Sequence, residues 1–225
     1  MQNFLRKVYI LVWKDFLIDL RRKDKIPSML LFLTINFLIF QFSIGEDINT
    51  FKNFLPGIIW VIFIFTGVLG LEKSFVQESE SGCIGGLLIV PLERSILFLG
   101  KMIANTFFLL IIQFIFIPSV IILFDIDLKS WLALFNVLFL GTIGFSALGT
   151  LLTALTATVK GKEMLLPVLM FPLIIPSVLC VVKITESLFF ATNQAEVMHW
   201  WRLLFGFDVI LLIVSILGFE FVIEE

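Results

Sequence analysis

"ILFLGKMIANTFFLLIIQFIFIPSVIILF", residues 96–124, holds a single ionisable side chain, Lys101. About 20 largely apolar residues are enough for a helix to cross about 30 Å of hydrocarbon, so this run exceeds a membrane span. Only a helix or a closed barrel satisfies its own backbone groups in lipid, and a run this long without alternation reads as a helix. Five more windows of the same kind lie at 26–44, 54–71, 131–159, 164–182 and 203–223. The whole chain agrees with them. Its 225 residues are 60% hydrophobic and 15% charged, with 27 phenylalanines and a mean hydropathy of +1.09, whereas a soluble domain carries about 25% charged residues. The expected fold class is an all-α integral membrane protein of six transmembrane helices, a single domain over 1–225.

Lysine and arginine orient the windows. With the N-terminus in the cytoplasm, twelve basic residues fall inside: Arg6, Lys7, Lys14, Arg21, Arg22, Lys23, Lys25, Lys73, Arg94, Lys101, Lys160 and Lys162. Four fall outside: Lys52, Lys129, Lys183 and Arg202. The positive-inside rule then places both termini in the cytoplasm. Residues 1–25 are too interrupted by charge (Arg6, Lys7, Lys14, Asp15, Asp19) for a signal peptide. Leu5, Tyr9, Val12, Trp13, Phe16, Leu17 and Leu20 recur at helical spacing, opposite Lys7, Lys14, Asp15, Arg21 and Arg22, which predicts an amphipathic interfacial helix.

Several chemistries have no residues to carry them. Gly100-Lys101 and Gly161-Lys162 lack the rest of a phosphate-binding loop, so no catalytic site is expected and any ATP must be hydrolysed by a partner. Two cysteines, Cys83 and Cys180, and one histidine, His199, make no metal site. His199-Trp200-Trp201 reads as an interfacial aromatic belt rather than a haem ligand set. A gradient-driven carrier keeps an acid at mid-depth, at a cost of about 2.5–3.5 kcal/mol. Asp208 is expected about 8 Å from the outer end of the last span, Glu220 near the inner end, and Asn36 is expected to bond across helices.

One segment breaks the pattern: "EKSFVQESESGCIGGLLIVPLERS", residues 72–95. It is long for a connection, yet Phe75, Val76, Ile84, Leu87, Leu88, Ile89 and Val90 are too apolar for a solvated linker. Glu72 to Glu80 continues the preceding helix, Gly82, Gly85 and Gly86 permit a tight turn, and Pro91 stops an apolar step before Glu93-Arg94 begin the next helix. Two readings fit equally: a folded knob through which a nucleotide-binding subunit is felt, or an amphipathic loop resting on headgroups.

Here residues 78–101, "ESESGCIGGLLIVPLERSILFLGK", resemble the ExExG...LLxxPxxRxxxxxGK signature of ABC-2 type permeases. With "WKDFLIDLRRKDKIPSMLLF" (13–32), "FLPGIIWVIFIFTGVLGLEKSF" (54–75) and "LLPVLMFPLIIPSVL" (165–179), nearly the whole chain resembles the CcmB family, a membrane subunit of the cytochrome c maturation ABC complex. Cys83 and Gly85 depart from the family's usual residues. The resemblance implies a type V exporter-like permease of the bacterial inner membrane, or the mitochondrial one. It implies an ATPase-coupling segment of Phe75, Glu78, Glu80, Gly82, Leu87, Leu88, Pro91 and Arg94, and candidate gate or kink positions at Pro56, Gly57, Pro167, Pro172 and Pro176.

The partners it implies are an ABC ATPase subunit (CcmA-like), a haem-handling membrane protein (CcmC-like), a small membrane subunit (CcmD-like), an outer-side haem chaperone (CcmE-like), membrane lipid and a second copy of the chain. Haem is the implied substrate and no cofactor is assigned to the chain. Other readings are an ABC-2 permease for lipid or polysaccharide, or a non-transporting assembly subunit. For a homodimer, the fourth window offers Thr142, Ser146, Thr150, Thr153 and Ala157, with Gly141, Gly144 and Gly149 nearby. Such small residues let helices approach closely, whether those of a twin or of the same chain.

Overall fold

The computed structural model describes residues 2–21, 25–44, 48–80, 94–157, 165–190 and 194–222. They form seven helices: α1 Gln2–Arg21, α2 Lys25–Ile44, α3 Ile48–Glu80, α4 Arg94–Leu123, α5 Trp131–Ala157, α6 Leu165–Phe190 and α7 Gln194–Val222. No strand occurs among the described residues. Six of the helices, α2 to α7, are long and apolar enough to cross a membrane, one for each window. The fifth and sixth are longer than their windows. The segment 183–202, expected outside, is mostly the end of α6 and the start of α7, with Lys183 paired to Glu186 at 2.9 Å.

α5 is the hub, packing against α3, α4, α6 and α7. Its small residues explain this, because they let four helices come close. Thr142, Ser146 and Thr150 are fully buried. Thr142 donates to Gln113 Oε1 at 3.1 Å and Asn105 Nδ2 of α4 donates to Thr150 Oγ1 at 3.2 Å. The stripe that could have met a twin is therefore occupied by α4 of the same chain. On the α3–α6 side, Trp60 Nε1 donates to Thr185 Oγ1 at 3.0 Å.

The α4–α5 turn is closed by local chemistry. Asp125 takes the left-handed conformation (φ 48°), and Ile126 N bonds Ile121 O at 3.1 Å, the pattern that ends a helix on a short polar residue. Ser130 then caps α5, its Oγ accepting from Ala133 N at 3.3 Å.

α1 lies along the first half of α4, with Leu11 filling the notch at Gly100. Its outer face, Leu5, Tyr9, Trp13 and Leu20, stays exposed, as an amphipathic helix against lipid requires. Where α1 passes to α2, the Lys25 ammonium donates to Asp19 at 2.7 Å and sits 4.0 Å above the Phe108 ring of α4. Both charges are buried. Removing one partner of such a pair costs about 3–5 kcal/mol, so the pair ties α1 firmly to α2, with the Phe108 ring of α4 beneath it. Asn36, expected to bond across helices, instead donates to its own helix at Phe32 O, 2.8 Å away.

Candidate functional site

The coupling segment is bracketed by the last turns of α3 and the first of α4. Phe75, Glu78 and Glu80 lie on the helical backbone of α3. Gly82, Leu87, Leu88 and Pro91, with Cys83, lie outside the described residues. Arg94 opens α4, and its Nη1 donates to the Glu220 carbonyl in the last turn of α7 at 2.9 Å. A helix C-terminus leaves carbonyls without intrahelical donors, so the guanidinium serves as a cap borrowed from another helix. One turn further, Phe98 is fully buried against Phe219, ring centroids 5.2 Å apart. Phe98, Met102, Ala147, Leu151, Ala154 and Phe219 form a small apolar core of α4, α5 and α7. The junction end therefore ties α4 to α7 and, through Leu11 and Gly100, to α1. Sequence reasoning singled out Arg94 but had no means of finding its partner 126 positions away.

The candidate gate residues fall on two helices. Pro56 is buried inside α3, while the position of a Cβ at Gly57 is open space. Pro167 stands in the first turn of α6, where a missing donor is harmless. Pro172 and Pro176 lie inside α6, the first exposed and the second half-buried, and the helix continues through both to Phe190. A narrow cleft lies alongside, lined by Trp60, Phe63, Gly141, Phe145, Ser177 and Val181 among others.

Of the ionisable residues of the last span, Glu220 stands in the last turn as expected, and Asp208 is placed differently from the expectation. Because α7 starts at Gln194, Asp208 is its central residue rather than one near the outer end. It is 2% exposed. His199 is exposed near the start of α7, edge-on to Trp200 with centroids 6.1 Å apart. Among the described residues no three of His, Cys, Asp and Glu gather in a way that would hold a metal ion.

Comparison with known proteins covers nearly the whole chain. The family model described as "CcmB protein" matches residues 6–224. "Heme exporter protein B" of Haemophilus influenzae is 25% identical over 177 residues, covering 79% of this chain and 80% of that protein. The protein of the same name from Pseudomonas aeruginosa is 28% identical over 156 residues, 69% of this chain and 70% of its own length. That of Escherichia coli is 30% identical over 100 residues, 43% and 46% of the two chains.

Proposed function

The chain belongs to the CcmB family, and from that membership we propose that it is the membrane-spanning permease subunit of a bacterial ABC complex that exports haem or releases its carrier for cytochrome c maturation. The match across residues 6–224 carries this reading. ATP is hydrolysed by a separate subunit, which docks on the segment from Phe75 to Arg94. Both termini and this segment face the cytoplasm, as the distribution of basic residues suggests. Two copies serve the two ATPase subunits that such an engine uses. A haem-handling membrane protein, a small membrane subunit and an outer-side haem chaperone complete the assembly.

Mechanically, nucleotide-driven approach of the ATPases pushes the segment between α3 and α4. The Arg94–Glu220 cap and the Phe98–Phe219 contact favour passing that push to α7 rather than leaving it in the loop. α5 is the common neighbour of α3, α4 and α7, so their relative motion converges on the middle of the bundle.

The experiment is charge reversal at the proposed docking acids. Glu78→Lys with Glu80→Lys is expected to leave insertion and amount of protein unchanged while abolishing cytochrome c maturation and capture of the ATPase in mild detergent. Normal maturation in that double variant would remove the docking role. The complex purified with its ATPase, assayed with haem, with lipid and with loaded chaperone, identifies the substrate by which addition raises ATP turnover.

A further inference from the structure

We propose that Asp208 is a proton-binding site at the centre of the bundle, occupied while α7 is packed on α5 and emptied when the two helices part. The inference is independent of the haem reading, because it rests only on the packing of α5 and α7.

The geometry is specific. Asp208 is the central residue of α7 (Gln194–Val222), and Gly144 is the central residue of α5 (Trp131–Ala157). The carboxyl is seated against Gly144: a Cβ there would overlap Asp208 Oδ1. Glycine is thus the residue that makes room for the acid, and any side chain would fill its seat. Both carboxyl oxygens are buried and neither has a hydrogen-bond partner among the described residues.

An ionised carboxylate in such a place needs donors or a cation. Among the described residues, the elements packed against α7 bring no donor into bonding distance of the acid and no cation beside it. α5 contains no charged residue. On α6, Lys183 is engaged with Glu186 at the exposed end, and Cys180 is a buried thiol that carries no positive charge. On α4, Arg94 caps Glu220 at the junction end. Lys101 adjoins Met102, which packs with the last turns of α5 near Ala154, about 15 Å along the axis from Gly144 at 1.5 Å per residue. On α7 itself, Glu196, His199 and Glu220 stand toward the two ends, and Arg202, about 9 Å along the axis from Asp208 at 1.5 Å per residue, is exposed while the acid is buried. The cation that fits a seat this tight, with no second ligand, is a proton. Release breaks the O–H bond and hands the proton to water, which reaches the acid only when α5 and α7 separate.

The test uses infrared spectroscopy on the full chain in lipid vesicles. A protonated-carboxyl band is expected at neutral pH in the wild type and lost in the near-isosteric Asp208→Asn. Where that variant does not accumulate, Asp208→Glu makes the assignment by shifting the band. On transfer to heavy water the band should shift as the proton exchanges. A disulfide clamp across α5 and α7, built as Leu151→Cys with Gly218→Cys in a Cys180→Ala background, should hold that shift back, and reduction should restore it. Absence of the band at neutral pH, its survival in Asp208→Asn, or unchanged exchange in the clamped protein would each overturn the proposal. So would its disappearance on adding sodium chloride at constant pH, which would assign the seat to a metal cation.

Discussion

At Gly144 a single hydrogen in place of a methyl group decides whether α5 and α7 can pack around Asp208. Gly144→Ala is expected to destabilise the protein by about 1–3 kcal/mol, the usual cost of overpacking a tight contact. A lowered thermal midpoint in detergent is the measurement. Truncating the acid removes the clash, so Gly144→Ala in an Asp208→Ala background should cost less than in the wild type, and the difference reports the contact directly. Asp208 also shows what escapes a residue-by-residue reading. Its identity was plain, but its depth depended on where α7 begins, and the first turns of that helix carry Glu196, His199 and Arg202, which look like a loop to a hydropathy window. Asn36 makes a similar point: an amide in an apolar run suggests a partner helix, yet the carbonyl one turn back was nearer.

At the scale of elements, the helices were legible because apolar runs of this length have one way to satisfy their backbone in lipid. The prolines of α6 were harder to judge. Each removes a donor and disfavours the helix interior, yet a helix surrounded by other helices and lipid has no competing solvent for its carbonyls, and α6 continues past both. The link between α4 and α7 is the element-scale feature that function would use. Arg94→Ala removes the donor from the Glu220 carbonyl and should loosen the last turn of α7, while the apolar contact of Phe98 and Phe219 keeps the helices together. Hydrogen exchange is expected to rise at residues 218–222 and to stay unchanged at the middle of α7. Equal protection in the variant would mean that the cap does not hold that end.

For the molecule as a whole, the sorting of charge predicts how it sits in the bilayer. With Cys83 and Cys180 replaced by alanine, Ser81→Cys should react with an impermeant thiol reagent only from the cytoplasmic side. Asp127→Cys, in the turn between α4 and α5, should react only from the opposite side. Reversed labelling would invert the topology and with it the docking surface for an ATPase.

Composition and window length determined that this is a six-span helical membrane chain, and the polar segment between the second and third spans, together with three further stretches, carried the resemblance to its family. These properties are local: each depends on the transfer of a contiguous stretch between water and lipid, which a sequence states openly. Tertiary structure alone decided that the small-residue stripe of α5 serves the chain's own helices, that Arg94 meets Glu220, and that Asp208 rests on Gly144. Those are pairings between distant positions. Each of the helices α2 to α7 is apolar on most faces, so periodicity cannot tell a face that meets lipid from one that meets a neighbour, and only close packing does.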